Sequence, residues 1–494
     1  MFNDATIEEI NEVMERAGEA FHLYRKFSLK QRAHFMHAVA KELENLGDEL
    51  LQTASEETHL PEARLRNEKA RTVFQLHNYA DACERGDWLE VRIDTAIPGR
   101  NPPKPDLRKM LIPLGPVVVF GAANFPFAYS TAGGDTACAF AAGCPVVVKA
   151  HPAHARTSEM VASAVLKAAE ESKMPAGIFA HVHGAANDVG EALTKHPFTK
   201  AVGFTGSFLG GRQLFDWANQ RKEPIPVFAE MSSINPVFLL PEKLSQSAVD
   251  VAKLYAGSIT LGVGQFCTNP GLIIGIDNDD LETFIQTLGE EIKRTSPGDM
   301  LHAGIFKNYV ERRANALSQE NVETVATSET EPSFNQGAPT VASATAEAFI
   351  NNPVLHLEVF GPYSIVIRCK HAAEMIDVTK HIEGQLTATL MATENDIRNN
   401  NNLVELIKNV CGRFILNGVP TGVEVCLSMQ HGGPFPATTD SRFTSVGADG
   451  IKRFARPICY QNWPDRLLPD ELKNENPLGI WRTVDDQLRK DSLV

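Results

Sequence analysis

Cys267 lies in a loop whose composition suits a reactive thiol. Gly262 and Gly264 precede it, and the turn-forming run Asn269-Pro270-Gly271 follows it. Small and turn-forming residues let backbone N–H groups face a reacting atom. Such donors lower the pKa of a thiol and make it a better nucleophile. A lone cysteine is also often a small buried hydrophobe, so the loop alone leaves both interpretations open.

Glu230 and Asn124 are two further candidates for chemistry. Glu230 follows the apolar Phe228-Ala229 and precedes small residues, so few solvent groups would surround it and its pKa would rise, as in a general base. Asn124 comes after the β-branched run Val117-Val118-Val119, where a side-chain amide suits an oxyanion hole. Taken alone, a surface glutamate at a strand end and a turn or cap asparagine are the commoner explanations.

Two further loops stand out, and the first of them could contact a cofactor. The run from Gly206 and Ser207 to Gly211 follows an apolar strand pattern and begins a helix, where N–H groups can hold a phosphate; an ordinary turn explains it as well. Glu358-Val359-Phe360-Gly361-Pro362 is an acidic loop with an aromatic residue. No G-x-G-x-x-G follows a strand and no P-loop is present, so a cofactor phosphate needs another device.

The histidine pairs His151/His154 and His181/His183 are the features that would suggest a metal. The sequence places no cysteine or carboxylate at ligand spacing from them, and His151 and His183 each adjoin Pro or Gly. We therefore predict that the chain has no metal site.

The composition is that of a soluble protein with more than one domain. The chain has 494 residues, of which 43% are hydrophobic and 22% charged, more than one ordinary core holds. Lys+Arg 47 against Asp+Glu 61 gives a net charge of −14, which argues against a nucleic-acid partner or an anionic membrane surface. Eight cysteines without a C-x-x-C pair predict reduced thiols and a cytoplasmic location. No leader or membrane-spanning run is expected.

Helical and strand patterns alternate along the chain. Apolar residues at three- and four-residue spacing predict helices from 6 to about 85, beginning with a capping box at Thr6-Ile7-Glu8-Glu9. The runs 117–120, 146–148 and 201–204 predict βαβ units and a parallel sheet. We predict an α/β fold with a Rossmann-like cofactor domain over 1–230 and a second α/β domain over 231–425. The segment 107–113 is expected to be an exposed hairpin or edge element.

Six motifs occur in one order along the chain, and together they resemble the aldehyde dehydrogenase superfamily. The motifs are Asn124-Phe125-Pro126, Val148-Lys149, Phe204-Thr205-Gly206-Ser207, Glu230 before Asn235-Pro236, Gly264-Gln265-Phe266-Cys267 and Glu358-Val359-Phe360-Gly361-Pro362. The closing runs are similar to the 2-oxoglutarate semialdehyde branch of that family, near the bacterial fatty aldehyde dehydrogenases. Those runs are Pro420 to Val425, His431 to Ala437, Asp440-Ser441-Arg442, Tyr460-Gln461-Asn462 and Asn476 to Trp481.

The resemblance implies an NAD(P)-dependent oxidation of an aldehyde to a carboxylate. Cys267 attacks the aldehyde to form a thiohemiacetal, and the Asn124 amide and the Cys267 N–H hold the oxyanion. Glu230 activates the water that hydrolyses the resulting thioester. Glu358 is implied to bind the nicotinamide ribose and Lys149 the adenosine ribose.

The resemblance also implies the rest of the cofactor site and the assembly. Ser207 with Gly206 contacts a phosphate, and Phe360 lies in the loop that carries Glu358. The segment 101–113 and the tail within 426–494 form an oligomerisation arm, which gives a homodimer or homotetramer. The remainder of 426–494 returns to the cofactor domain.

The chain departs from the family pattern near the adenosine ribose and near the base. Pro152 stands where NAD-preferring members carry a glutamate, and His151, His154 and Arg156 are nearby. Without that carboxylate we expect NADP as the cofactor, with NAD as the alternative. The lysine that usually follows the base glutamate is also replaced, because the sequence there reads Glu230-Met231-Ser232-Ser233-Ile234.

The predicted substrate is 2-oxoglutarate semialdehyde, a small-molecule aldehyde whose far carboxylate needs a cation. Arg442 is the candidate for that cation. A broad or fatty aldehyde dehydrogenase is the alternative, because Phe125, Phe127 and Phe266 near the expected channel mouth suit an aliphatic chain. A CoA-acylating enzyme is a further alternative, against which the water-activating Glu230 argues. A non-catalytic protein that keeps the fold is the third, against which the three catalytic candidates together argue.

Overall fold

The structure is a computed structural model that describes residues 2–493. Four N-terminal helices occupy the region where the apolar periodicity predicts helices. The first begins with the predicted capping box, in which the Thr6 hydroxyl accepts from the Glu9 N–H and the Glu9 carboxylate accepts from the Thr6 N–H. Ser28 and Gln31 cap the second helix in the same way. These reciprocal bonds satisfy N–H groups that a helix start otherwise leaves without a partner.

The described chain is built from α-helices and strands joined by turns, short 3₁₀ helices and longer irregular segments such as 417–447. The helices are α1 Ile7–Tyr24, α2 Leu29–Asn45, α3 Gly47–Thr58, α4 Glu62–Arg85, α5 Gly134–Ala142, α6 Ala155–Glu171, α7 Asn187–Lys195, α8 Phe208–Asn219, α9 Pro241–Thr260, α10 Asp279–Arg294, α11 Ala303–Leu317, α12 Ala346–Asn351, α13 Ala372–Lys380, α14 Glu394–Asn399 and α15 Asn401–Val410. The strands are β1 Arg92–Asp94, β2 Leu107–Pro113, β3 Val117–Phe120, β4 Val146–Lys149, β5 Phe179–Val182, β6 Ala201–Thr205, β7 Val227–Glu230, β8 Val237–Leu239, β9 Leu272–Ile276, β10 Gly298–Asp299, β11 Val322–Thr327, β12 Gln336–Gly337, β13 Thr340–Thr345, β14 Tyr363–Cys369, β15 Gln385–Met391, β16 Cys411–Leu416, β17 Ala455–Gln461, β18 Arg482–Val484 and β19 Gln487–Arg489.

The first large sheet is parallel and five-stranded, in the order β5-β4-β3-β6-β7. Its strands are buried on both sides. Val118 and Val147 pack with α1, α7 and α8, whereas Val119 and Val148 pack with α5 and α6. The chain runs outward from β3 through β4 to β5 and then returns to β6 and β7. Ligands bind where a parallel sheet reverses its strand order, so the crevice beyond β3 and β6 is the expected cofactor position.

The second large sheet is seven-stranded, in the order β11-β13-β14-β9-β8-β15-β16. Its neighbouring strands are parallel except for β11 against β13. Helices α9 and α10 cover one face, and α11, α12, α13 and α15 cover the other. The loop that carries Cys267 joins α9 to β9, a strand in the interior of this sheet. The predicted parallel α/β organisation is confirmed.

The third sheet combines distant parts of the chain in the order β17-β2-β1-β18-β19. Strand β2 covers the segment expected to be an exposed hairpin or an edge. The hairpin is present, because β2 pairs antiparallel with the preceding β1, but the edge position is wrong, because β17 pairs with the other side of β2. The partner β17 lies more than 340 positions later in the sequence, so the pattern of β2 itself could not reveal it.

The chain after β16 folds back onto the five-stranded sheet. Glu230 forms an isolated antiparallel bridge with Thr438, and the Met231 N–H donates to the Ala437 carbonyl at 2.8 Å. These contacts support a return of the 426–494 segment to the first sheet. The domain boundaries at 230 and 425 stay predictions. Within residues 2–493, no helix combines the length and the apolar character that crossing a membrane requires.

Candidate active site

The backbone before Cys267 is strained. Gly262, Val263 and Gly264 all have left-handed angles, with φ of 55°, 58° and 63°. Glycine adopts this conformation at no steric cost, but a β-branched residue such as valine rarely does. Strain of this kind persists where surrounding contacts hold it, and it clusters at functional sites. The contacts that hold this loop therefore determine how Cys267 is presented.

Two buried amides anchor the Cys267 loop. Asn235 donates from Nδ2 to the carbonyl of Cys267 at 2.8 Å and to that of Asn269 at 2.9 Å. Gln265 donates from Nε2 to the Gly262 carbonyl at 3.2 Å, and its Oε1 accepts a backbone N–H at 3.0 Å. Both amides are fully buried, where such bonds are costly to lose. The Asn-Pro motif after Glu230 thus contributes by fixing the nucleophile loop.

The Cys267 loop touches the loop that carries Glu358. A Cβ on Gly264 would lie 2.3 Å from the carbonyl carbon of Gly361, a separation that side chains do not tolerate. Asn269 also donates from Nδ2 to the Gly361 carbonyl at 3.2 Å. The glycine at 264 therefore permits a close approach of two backbones. Two motifs that lie far apart in the sequence meet here.

Cys267 meets a histidine and the predicted base. His431 Nε2 lies 3.6 Å from the Cys267 Sγ and 3.0 Å from the Glu230 Oε1. The sulfur, the imidazole nitrogen and a carboxylate oxygen all lie within 4.8 Å of one another. The Ser445 hydroxyl donates to the Glu230 Oε2 at 2.6 Å. The 3.0 Å contact is at ion-pair distance, but Oε1 lacks a well-aligned hydrogen bond among residues 2–493.

The local charges set opposite protonation states for the thiol and the carboxyl. Burial and the Glu230 carboxylate raise the pKa of Cys267 well above its ordinary value. Burial also acts to raise the pKa of Glu230, but His431, Ser445 and the Cys267 thiol together hold it below its ordinary value. The expected raised pKa of Glu230 is wrong, because the sequence did not show these polar neighbours. Glu230 is therefore ionised and able to accept a proton, while Cys267 rests as a thiol.

Asn124 faces the same loop from the end of β3. Its side-chain Nδ2 donates to the Gln265 carbonyl at 3.1 Å, which leaves its second amide hydrogen for a substrate oxygen. Arg64 of α4 donates to the Asn124 backbone carbonyl at 2.8 Å. The Arg64 guanidinium also lies over the rings of Phe125 and Phe266, at 5.2 and 5.0 Å from their centroids. A cation–π contact on both rings fixes the Asn124 loop.

The structure places Lys149, Gly206 and Ser207 at the expected crevice. Lys149 ends β4, and burial lowers the pKa of its ammonium to about 8. Ser207 caps α8, where its hydroxyl accepts the Gly210 N–H at 3.2 Å. A Cβ on Gly206 would lie 2.6 Å from the Phe204 ring, so this turn requires glycine. A half-buried cation at the end of β4 and a helix start after β6, at the same edge of the sheet, fit the ribose and phosphate of a nucleotide.

Glu358 and Phe360 lie on a pocket next to the Cys267 loop. The pocket is also lined by Ser233, Gly264 and Phe266. Burial raises the pKa of Glu358 to about 7, although hydrogen bonds from Ser232 and the Ser233 N–H act to lower it. A carboxyl group at the wall of a small pocket fits the hydroxyl groups of a ribose. The residues of both loops therefore fit a nicotinamide nucleotide.

His151 is involved in local packing as well as lying near the crevice. Its Nδ1 accepts the Ala153 N–H at 3.2 Å, and its ring stacks on His154 at 5.3 Å. Arg156, expected to help with a ribose phosphate, forms ion pairs with Glu56 at 2.9 Å and with Glu57 at 3.5 Å. Arg156, the cation near Pro152 that the sequence suggested for the cofactor, is therefore already ion-paired within the protein.

A carboxylate accompanies one of the histidine pairs. Glu159 of α6 approaches His181 at 3.2 Å and His183 at 2.9 Å, with the ligand-type atoms within 4.8 Å of one another. The sequence has no carboxylate at ligand spacing from this pair, but the fold brings Glu159 to it from the preceding helix. Glu159, His181 and His183 are not among the site residues that the sequence predicts. The absence of a metal stays a prediction.

Arg442 receives no support as the anchor for a substrate carboxylate. Its side chain is 79% exposed, and its Nε donates to the Asp440 carboxylate at 2.8 Å.

The sequence analysis did not identify His431 and Ser445 as site residues. Both lie more than 160 positions after Cys267. The one sequence feature that pointed to them was a histidine at the start of a Gly- and Pro-rich turn.

The chain belongs to the aldehyde dehydrogenase family, whose sequence profile matches residues 1–435. The enzymes of this family are oxidoreductases that use NAD(P). An alpha-ketoglutaric semialdehyde dehydrogenase of Azospirillum brasilense is 46% identical over 486 residues, which cover 98% of this chain and 93% of that protein. A protein of the same name from Acinetobacter baylyi is 45% identical over 493 residues, or 99% of this chain and 93% of that protein.

Solved structures show the same fold. A succinic semialdehyde dehydrogenase of Streptococcus pyogenes, in complex with NADP+, aligns with a TM-score of 0.77 over 93% of this chain and 96% of that one, at 18% identity. A 1-pyrroline-5-carboxylate dehydrogenase from Thermus with bound NAD aligns with a TM-score of 0.77 at 20% identity, over 93% of this chain and 86% of that one. The predicted family and fold are confirmed.

Proposed function

We propose that this aldehyde dehydrogenase oxidises 2-oxoglutarate semialdehyde to 2-oxoglutarate through a covalent intermediate on Cys267. The observation that carries the proposal is the buried contact of Cys267, His431 and Glu230, within 4.8 Å of one another. The substrate comes from the two relatives at 46% and 45% identity, whose names specify alpha-ketoglutaric semialdehyde. Their match over nearly the whole chain supports the same substrate here.

The first step is addition of the thiol to the aldehyde. Cys267 attacks the carbonyl carbon and its proton passes to the ionised Glu230. His431 Nε2, 3.6 Å from the sulfur, donates toward the thiolate and stabilises its charge before attack. The new C–S bond leaves a negative oxygen, which the Asn124 amide and the Cys267 N–H hold. When bound, the nicotinamide cofactor supplies the acceptor for the aldehyde hydride, and the substrate carbon becomes a thioester of Cys267.

The second step is hydrolysis of that thioester. Glu230 first releases the thiol proton to solvent and is ionised again. It then takes a proton from water, the water oxygen bonds to the acyl carbon, and the C–S bond breaks to release the acid, which loses its proton to become a carboxylate. Ser445 at 2.6 Å and His431 at 3.0 Å hold the two oxygens of Glu230 in place. The sulfur leaves as a thiolate facing His431. A base arranged for water supports hydrolysis rather than acyl transfer to a thiol such as CoA.

The alternative is an aldehyde dehydrogenase of broad specificity or one that acts on fatty aldehydes. Phe125 and Phe266 would suit an aliphatic chain, and their rings lie 5.6 Å apart. The Arg64 guanidinium over both rings places a cation at this otherwise apolar surface. That cation supports an anionic substrate over a purely aliphatic one.

For the cofactor we propose NADP, with NAD as the alternative. Pro152 stands at the position of a repelling carboxylate, and Lys149 has no ion-pair partner within 4.0 Å among the described residues. Arg156 weighs less in this choice than the sequence suggested, because Glu56 and Glu57 engage it. A ratio of kcat/KM for NADP over NAD above one supports the proposal, and a ratio below one tenth contradicts it.

We further propose a homodimer or homotetramer in a cytoplasmic, reducing compartment. The third sheet and the segments next to it expose large apolar side chains, namely Trp463, Leu467, Trp481 and Leu488. Exposed apolar groups of this kind mark interaction surfaces. The eight cysteines are all free, which supports a reducing location. Light scattering of the full chain, and of a variant with Trp463→Ser and Leu467→Ser, tests the assembly: the variant should dissociate.

The function is tested by turnover and by thiol labelling. We expect NAD(P)H formation with 2-oxoglutarate semialdehyde at a kcat/KM above those for succinate semialdehyde and a medium-chain aldehyde. Cys267→Ala should abolish turnover, whereas Cys459→Ser, which removes an exposed thiol, should not change it. Iodoacetamide should inactivate the enzyme through Cys267. A tenfold preference for the medium-chain aldehyde, about 1.4 kcal/mol, would overturn the substrate.

A further inference from the structure

One face of α4 carries two arginines toward the active site. Arg64, Glu68 and Arg71 are spaced by four and three positions, so they share a face of the helix. Arg71 lies over the Tyr129 ring at 5.6 Å, and its Nη2 donates to the Tyr129 hydroxyl at 3.4 Å. The Tyr129 ring is in turn 6.3 Å from His431. Arg71 therefore stands one aromatic ring away from the histidine that faces Cys267.

A third arginine comes from the seven-stranded sheet. It follows Gly412, which packs against the backbone next to His431: a Cβ on Gly412 would lie 1.9 Å from the Gly432 carbonyl oxygen. Arg413 of β16 donates to the carbonyls of Pro420 and Gly422, at 2.5 and 2.8 Å. Its buried Nε has no hydrogen-bond partner among residues 2–493. Burial lowers the pKa of Arg413, and the nearby Cys267 and Tyr129 act to raise it. Arg71 acts on the same two groups, since its charge lowers the pKa of Cys267 and of Tyr129.

Arg71 and Arg413 each keep a buried Nε that has no hydrogen-bond partner among residues 2–493. Arg32 and Arg482, which are buried, also leave Nε without a partner, but the terminal nitrogens of each donate to three carbonyls. Arg71 has one long hydrogen bond for its five N–H groups, and its buried Nε has no partner within the described chain. The Arg71 and Arg413 side chains are both half-buried, and a partly desolvated charge with few partners is costly. At an active site such a charge indicates a ligand that completes it.

The neighbouring carboxylate does not complete the site. Glu68 lies between Arg64 and Arg71, but its Oε1 accepts the N–H groups of Phe127 and Ala128, at 2.9 and 3.0 Å. Burial raises the pKa of Glu68, against the two arginine charges that lower it. Arg66, on the opposite face of α4, has the carboxylate partners that an arginine commonly has: it is ion-paired with Asp48 at 2.9 Å and with Glu62 at 2.6 Å.

We propose that Arg71 and Arg413 form an anion-binding site that holds the carboxylate of the 2-oxo acid end of the substrate. This inference rests on the proposed function and names the residues that select its substrate. In 2-oxoglutarate semialdehyde the carboxylate lies four C–C bonds from the aldehyde carbon, roughly 5 Å at ~1.5 Å per bond. A carboxylate accepts paired hydrogen bonds from guanidinium groups, so binding it there places the aldehyde at Cys267. An uncharged aldehyde gains nothing from the pair.

The test is the selectivity between a charged and an uncharged aldehyde. The measured quantity is kcat/KM for 2-oxoglutarate semialdehyde divided by kcat/KM for pentanal, with the same cofactor. We expect Arg71→Met and Arg413→Met each to lower this ratio by about 30-fold or more, as expected for a lost charge-assisted hydrogen bond. Arg66→Met is the matched control on α4 and should leave the ratio unchanged. Because both aldehydes are measured on one preparation, a partly folded variant still reports the ratio.

Two further variants separate charge from structure. Arg71→Lys and Arg413→Lys keep a cation but lose the fork geometry, so each should recover part of the ratio that methionine loses. If the wild type prefers the semialdehyde and neither methionine variant lowers the ratio, the anion site is wrong while the proposed substrate stands. If the wild type itself does not prefer the semialdehyde over pentanal, the proposed substrate fails and this site fails with it.

Discussion

His431 Nε2 lies 3.0 Å from the Glu230 carboxylate, and both side chains are closed off from solvent. The same nitrogen is 3.6 Å from the Cys267 sulfur, so one edge of the imidazole faces the base and the nucleophile together. Because Glu230 is ionised, the tautomer assigned to His431 carries its hydrogen on Nε2. That single N–H is shared between the carboxylate and the sulfur. The Glu230 carboxylate raises the pKa of Cys267, and the Cys267 thiol lowers the pKa of Glu230, so the two titrations are coupled.

Replacing His431 should make Cys267 less reactive at neutral pH. His431→Asn removes the donor that stabilises the thiolate, so the pKa of Cys267, already raised by burial, should rise further. We expect alkylation by iodoacetamide at pH 7 to slow by about tenfold, and its pH dependence to move to higher pH. His22→Asn, a change at an exposed histidine of α1, is the control. An alkylation curve of His431→Asn that superimposes on the wild type would show that His431 does not act on the thiol.

Replacing Glu230 should separate oxidation from hydrolysis. Glu230→Gln keeps the shape and can still accept the Ser445 hydroxyl, but it cannot take a proton from water. We expect steady-state turnover to fall about 10²- to 10⁴-fold, the usual contribution of a general base. If another base takes the thiol proton, a burst of NAD(P)H of one equivalent or less per active site should remain, with the acyl group detectable on Cys267 by mass spectrometry. A variant that turns over at the wild-type rate would remove Glu230 from the mechanism.

Local sequence signals predict the parallel sheets well. The runs at β3, β4 and β6 are short, β-branched and bounded by glycine or polar residues, and the structure places all three in one sheet. The same signals do not predict that β2 lies inside its sheet, because its second partner strand is hundreds of residues away in the sequence. A strand pattern states that a segment pairs, but the number of its partners is a property of the whole fold.

The active-site residues likewise divide into those that local sequence patterns predict and those that they do not. Cys267, Glu230 and Asn124 stand in motifs with local character, and the structure brings all three to one loop. His431, Ser445, Arg71 and Arg413 reach it from four other places, and each is an ordinary surface-type residue in its own sequence context. Their roles depend on neighbours that meet them only when the chain is folded. For this reason the expected pKa of Glu230 had the wrong direction.

Gly264→Ala should destabilise the protein strongly. The added Cβ would lie 2.3 Å from the Gly361 carbonyl carbon, at a φ of +63° that disfavours alanine. Backbone strain alone costs about 1–2 kcal/mol, and the clash must also part the Cys267 and Glu358 loops. We expect a lower thermal midpoint and loss of activity. The control is Gly257→Ala in α9, where a Cβ meets nothing within 4 Å; it should stabilise by roughly 0.5–1 kcal/mol. Equal midpoints for the two variants would contradict this account of the loop contact.

Cofactor affinity should depend on pH through Glu358. Burial raises the pKa of this carboxyl to about 7, so it is largely protonated at pH 6 and ionised at pH 8. Ribose hydroxyl groups donate to the ionised form, and the ionised fraction increases about tenfold over this range for a pKa near 7. We therefore expect the Kd of NAD(P), measured by fluorescence, to decrease by up to about tenfold from pH 6 to pH 8. Glu358→Gln should flatten this dependence, whereas Glu347→Gln, at an exposed position of α12, should preserve it. An unchanged slope in Glu358→Gln would assign the pH dependence to another group and remove Glu358 from the ribose site.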